Sequence, residues 1–190
     1  YAGAKDNDGV RNCFRVKLII AAAMLAVAMF VFIAMPDKLI SLYLAKDTSP
    51  ADAAATMGFA RDYLSVMLWG LVPFALSQAY SSTLRELGET KLPMISSIAA
   101  IAVNLVFNYF LIFGTFGFPK LGVVGAAVAT VFSRFVELAI LLVFTHRHTA
   151  RFMFMKGVYR SLHIPKKLVI DIAKRGMPLL LNEALWSAGM

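Results

Sequence analysis

Six side chains set in apolar surroundings are where this sequence could do chemistry. Asn104 and Asn108 stand one helical turn apart in a run that carries no charge from Leu92 to Pro119. Thr130 lies in a second charge-free run, Leu121 to Ser133, and Arg134 and Glu137 follow it at i, i+3 spacing. Glu183 is the single acid in the string Leu179-Leu180-Leu181-Asn182-Glu183-Ala184-Leu185-Trp186. A carboxylate can take up a proton or neutralise a cation, whereas an amide offers only a carbonyl oxygen and N–H donors. Polar groups at membrane depth are costly, so each is a functional hypothesis by default. The plainer role is adhesive: Asn and Thr join membrane helices by hydrogen bonds worth about 0.6–2 kcal/mol each.

The runs that carry these residues have the length a bilayer demands. About 20 apolar residues at about 1.5 Å each cross a hydrocarbon core about 30 Å thick. The spacing predicts spans over Leu18–Met35, Tyr63–Thr83, Pro93–Phe113 and Gly122–Thr145, with a fifth beginning near Gly176. Pro73 inside the second span is compatible with a membrane helix, where neighbours satisfy the freed carbonyl. Residues 36–62 read as a long loop, with a helix-start signal at Ser49-Pro50. Counted along the helices, Asn104 lies about 16 Å and Asn108 about 22 Å from Pro93, and Thr130 about 12 Å from Gly122. The three depths overlap, so one polar pocket between two adjacent helices is expected. Arg134, about 18 Å from Gly122, is near the midplane, where a neutralising partner such as Glu137 makes it tolerable and a gating role is the alternative. Glu183, about 12 Å beyond Arg175, must be protonated, paired or bound to a cation. Gly122, Gly125, Ala126 and Ala129 form a small-residue face suited to close helix packing.

Composition agrees. The chain is 59% hydrophobic, carries a net charge of +8 over 190 residues and has a single cysteine, Cys13. Its mean hydropathy is +0.72. One cysteine excludes an intrachain disulfide and a Cys-based metal site. Fourteen Lys and Arg fall in loops on one side of the predicted spans and four on the other, which makes the fourteen-residue side cytoplasmic. The positive charge is thus explained without nucleic acid. No Gly-rich phosphate loop is present, so energy for transport would come from an ion gradient. His146, His148 and His163 all fall in the basic segment and read as solvated rather than metal-binding. Leu168, Val169 and Ile172 with Lys166, Lys167, Lys174 and Arg175 suggest a short amphipathic helix lying on a membrane surface.

Three stretches resemble the multidrug and toxic compound extrusion (MATE) transporters. They are Arg85-x-x-Gly88-x-Thr90-x-x-Pro93-Met94; Asn104-x-x-x-Asn108 running into Leu111-Ile112-Phe113-Gly114; and Pro119-x-Leu121-Gly122-Val123-x-Gly125-Ala126-Ala127-x-Ala129-Thr130. Gly3-Ala4-Lys5-Asp6 is similar to the family's loop after its second helix, and Gly176-Met177-Pro178 with Glu183 to the opening of its seventh. The resemblance implies an all-α, polytopic membrane protein of twelve helices in two lobes, of which this chain is a middle piece. It sets residues 1–147 in the N-terminal lobe, 148–175 in a basic cytoplasmic linker and 176–190 at the start of the C-terminal lobe. It also implies that Asn104, Asn108 and Thr130 occupy a first-lobe sodium or proton site. Many family members have an aspartate where Asn108 stands, and an amide there cannot take up a proton. A functional glutamate on the family's seventh helix stands about one turn further along than Glu183.

The expected function is secondary active efflux of amphipathic, often cationic, organic compounds by alternating access, as a sodium or proton antiporter. No cofactor beyond the coupling ion is expected. The expected setting is the bacterial inner membrane, as a monomer in the lipid bilayer. A flippase for lipid-linked saccharides is the nearest rival. A membrane receptor or enzyme is another, and no nucleophile–base set or HExxH supports it.

Overall fold

The computed structural model describes residues 6–41, 50–155 and 157–160, with isolated helical positions at 170, 172, 174, 176–178, 182, 185 and 186. Five α-helices order the described chain: α1 (Asn7–Ala34), α2 (Pro36–Ser41), α3 (Pro50–Glu86), α4 (Lys91–Phe113) and α5 (Val123–Arg147). Short 3₁₀ turns at Thr115–Gly117, Met153–Met155 and Val158–Arg160 complete it. Four of the helices, all but α2, are long and apolar enough to cross a membrane.

Local chemistry sets the helix ends. The Asp6 carboxylate accepts the Gly9 N–H at 2.9 Å and caps α1. Pro36 and Pro50 each open a helix, where a missing N–H costs nothing. Gly114 closes α4 in the left-handed region with φ 71°, and an added Cβ would sit 2.9 Å from the Lys120 Cβ. That glycine permits the reversal that carries the chain into α5.

The expected loop over 36–62 is corrected in two places. Pro36–Ser41 is a helical turn, joined to α3 by the Arg61–Asp37 ion pair at 2.7 Å. Residues 50–62 are helix, continuous with the second span, so α3 runs for 37 residues. The stretch after Pro50 is rich in alanine and holds no proline, so propensity carries the helix through Gly58 into the span. Pro73 is buried and α3 continues through it.

α5 packs along both α3 and α4, which barely touch each other. The approach is close at two glycines. A Cβ on Gly70 would meet Val131 Cγ2 at 3.0 Å, and one on Gly125 would meet the Leu111 carbonyl oxygen at 2.6 Å. Ala127 and Ala129 of α5 are fully buried. Small residues let backbones meet where apolar burial gives no driving force between helices. Facing outward, α1 presents Met24, Val27, Phe30 and Ile33, and α4 presents Ile98, Ile101 and Leu105.

At the basic end the chain turns back after α5. Phe152, Phe154, Met155 and Val158 are buried against Phe14 of α1 and Tyr80 and Leu84 of α3. Arg15 donates from Nε to the Val158 carbonyl at 2.8 Å and from Nη2 to the Gly157 carbonyl at 2.7 Å. Arg11 donates to the Phe154 carbonyl at 3.2 Å, and Arg151 pairs with Glu89. The Arg11 and Arg15 guanidinium groups satisfy backbone carbonyls of a segment that has little regular structure of its own.

Candidate functional site

The seam between α4 and α5 holds a directed chain of hydrogen bonds. Asn108 Nδ2 donates to Asn104 Oδ1 at 2.9 Å, one turn back along α4. Asn104 Nδ2 donates across the seam to Thr130 Oγ1 at 3.2 Å. Thr130 in turn donates to the Ala126 carbonyl at 2.9 Å. The Asn108 side-chain oxygen is buried and accepts no hydrogen bond from the described residues. A buried acceptor left open is unusual, and its natural partner is a donor or a cation.

A second cluster lies one to two turns nearer the basic end. Glu137 is 5% exposed and receives Arg134 Nη1 on Oε2 at 3.0 Å and Ser97 Oγ on Oε1 at 2.9 Å. The Arg134 guanidinium also lies over the Phe74 ring of α3, 5.1 Å from its centroid. One ion pair thus ties three helices. Both clusters open on the same cavity of about 300 Å³, lined among others by Ser97, Asn104, Thr130, Ser133, Arg134 and Glu137. A larger cavity of about 740 Å³ near the opposite end is walled by Phe32, Leu39, Phe59, Tyr63 and Val123. It has no charged group in its lining and little to orient a ligand.

Asn104 and Thr130 therefore meet directly, while Asn108 lies outside the cavity lining and reaches it through Asn104. Arg134 and Glu137 pair as their spacing suggests. Glu183, and with it His163, lies outside the described residues. His146 and His148 are exposed, with His146 stacked on Tyr159 and His148 on Phe144 at ring centroid distances of 6.1 Å and 4.3 Å. Among the described residues no three His, Cys, Asp or Glu side chains gather to hold a metal ion. Sequence reasoning passed over Ser97 and Phe74. Ser97 stands seven residues before Asn104, on the same helix face, and that spacing was a usable signal. Phe74 gave none, because its partner lies on another helix.

Four membrane-length helices and a polar seam between two of them define a polytopic helical membrane protein. The MatE family model matches residues 1–110, and the chain belongs to that family. The chain is 36% identical over 131 residues to "Probable multidrug resistance protein NorM" of Thermotoga maritima, covering 69% of this chain and 27% of the relative. It is 32% identical over 126 residues to "Probable multidrug resistance protein YoeA" of Bacillus subtilis, covering 66% and 27%. A NorM of Halalkalibacterium halodurans, also printed as a probable multidrug resistance protein, is 28% identical over 179 residues, 93% of this chain and 37% of its own. The chain thus spans between about a quarter and two fifths of these relatives' length. No solved structure matches it.

Proposed function

We propose that the protein exports amphipathic organic compounds, many of them cationic, across a bacterial inner membrane in exchange for an entering cation. The observation that carries this reading is the polar cavity between α4 and α5, lined by the hydrogen-bonded amide of Asn104, hydroxyls and a buried carboxylate inside membrane-length helices. Such a cavity serves a cargo or an ion better than it serves packing, since polar groups at that depth are expensive. The relatives' names point the same way. In this reading the basic ends are cytoplasmic, the two lobes alternate access, and sodium or protons supply the energy. Asn104, Asn108 and Thr130 line the first-lobe ion path. Glu183 is the coupling acid at the start of the second lobe. The flippase reading finds little support, because Arg134 is the single cation among the residues lining the cavity and an acid, Glu137, stands beside it.

The test uses the full-length protein in proteoliposomes with an imposed pH or sodium gradient and tetraphenylphosphonium as cargo. Gradient-driven movement of the cation is expected. In the Glu183→Gln protein, which keeps shape and hydrogen bonding, cargo binding is expected to persist while movement no longer follows the gradient. Full gradient-driven export by correctly inserted Glu183→Gln protein would remove Glu183 from the mechanism. No gradient-driven movement by the unmodified protein would remove the export reading itself.

A further inference from the structure

We propose that Glu137 is a proton-binding site, and that a proton and a lipophilic organic cation occupy its cavity in turn. The proposal rests on the export reading and goes beyond it by assigning the titrating group within this lobe.

Depth comes first. Glu137 stands about 15 Å along α5 from Arg147 and about 21 Å from Val123, well inside a hydrocarbon core about 30 Å thick. It is 5% exposed yet borders a cavity of about 300 Å³, so it is shielded from lipid but reachable from the cavity.

The arrangement tolerates both protonation states. Arg134 and Glu137 bond through a single Nη1–Oε2 contact at 3.0 Å, and each has a second anchor on a different helix. For Arg134 it is the face of Phe74 on α3, and for Glu137 it is Ser97 on α4. A fork-to-fork pair with no other partners would resist separation; this pair can part with each member still held. Ser97 suits the change as well. Its hydroxyl donates to the ionised carboxylate at 2.9 Å, and a hydroxyl can equally accept from a protonated carboxyl. The step is an acid–base exchange with water: the carboxylate takes a proton from hydronium in the cavity and gives it back on the other side.

Charge arithmetic then links proton and cargo. Among the lining residues the charged groups are Arg134 and Glu137, both on α5. α4 contributes Ser97 and Asn104 and α3 places Phe74 against Arg134, none of them acidic or basic. With Glu137 ionised the pair is neutral and the carboxylate can turn to a cationic cargo. With Glu137 protonated Arg134 stands uncompensated, and the cavity repels the same cargo. A proton needs one lone pair. A sodium ion would need several oxygens while sitting beside a guanidinium, so the proton is the fitting partner.

Equilibrium binding of tetraphenylphosphonium, whose charge does not change with pH, tests the idea on the full-length protein. As pH is lowered, with the protein still folded, the unmodified protein should lose affinity by up to about tenfold per pH unit. Glu137→Gln, which leaves Arg134 uncompensated as protonation does, should bind the cation weakly and with a flattened profile, and its thermal melt reports folding. An unchanged profile in Glu137→Gln would overturn the proposal. Labelling with a hydrophobic carbodiimide, which attacks protonated carboxyls, needs no variant. Glu137 should be modified at acid pH and protected by tetraphenylphosphonium. No modification at any pH, or modification indifferent to the cation, would also overturn it. Failure of gradient-driven export in vesicles, with Glu137 still labelled and protected, would instead reject the export reading and leave this site standing.

Discussion

Three glycines offer a graded test of how the seam positions the polar groups. An added Cβ at Gly58 in α3 meets nothing within 4 Å. At Gly70 it would lie 3.0 Å from Val131 Cγ2, a side-chain methyl that can rotate. At Gly125 it would lie 2.6 Å from the oxygen and 2.8 Å from the carbon of the Leu111 carbonyl, which is backbone and is held by the Leu121 N–H at 2.9 Å. Relief at Gly125 needs α4 and α5 to separate by roughly 0.6 Å or more, since an unstrained carbon contact starts near about 3.3 Å. The Asn104–Thr130 bond is already 3.2 Å long, so such a shift takes it out of hydrogen-bond range. Overpacking costs about 1–3 kcal/mol and a lost interhelical bond about 0.6 kcal/mol more, against about 1 kcal/mol gained in helix propensity. Gly125→Ala should therefore be destabilised by about 0.6–2.6 kcal/mol, Gly70→Ala should be near neutral, and Gly58→Ala should gain up to about 1 kcal/mol. Thermal melts of the solubilised full-length proteins give the order, and tetraphenylphosphonium export should fall in Gly125→Ala alone. A Gly125→Ala protein that melts with or above Gly58→Ala would refute the close-approach argument.

Two further outcomes follow from the basic end and the helix hairpins. Arg15→Met removes the bonds to the Gly157 and Val158 carbonyls while keeping apolar bulk, a loss of about 3 kcal/mol for two charge-assisted bonds. Hydrogen exchange at the Phe152 and Met155 amides should then speed by roughly 100-fold, and unchanged exchange would mean that the apolar side chains alone hold the segment. Cysteines placed at Lys120 and Met153, in a Cys13→Ser background, should label from opposite faces of the membrane, Met153 from the cytoplasm. Labelling of both from one face would overturn the assigned topology.

The membrane helices were legible because uncharged runs of span length announce themselves, and Gly114 and Gly122 marked the reversal between α4 and α5. The meeting of Asn104 with Thr130 was legible too, since equal depth on consecutive antiparallel helices leaves few other partners. The start of α3 at Pro50 was legible from its helix-start signal, but its unbroken run into the span was not, because charged and alanine-rich turns look like a loop when hydropathy is the guide. The return of residues 152–158 onto α1 was not legible at all. It depends on two arginines bonding to backbone carbonyls more than 140 residues away, and backbone acceptors leave no mark in a sequence. Ser97 fell between the two cases: its face was readable, its partner Glu137 only from the packing.

The direction of the hydrogen bonds explains why an amide at position 108 is not a faint copy of an aspartate. Thr130 spends its one proton on the Ala126 carbonyl, so toward Asn104 it can only accept. Asn104 must then present its N–H to Thr130 and its oxygen to Asn108. Position 108 is left to donate, which an amide does and an ionised carboxylate cannot. A carboxylate there would face the Asn104 oxygen at 2.9 Å, oxygen to oxygen, unless it were protonated or a cation came between them. With Asn108 the chain is satisfied at rest up to its last atom, the open Oδ1, and holds its geometry without any ion. In the proposed mechanism the group of this lobe that gains and loses charge stands elsewhere, and among the residues lining the cavity Glu137 is the one acid.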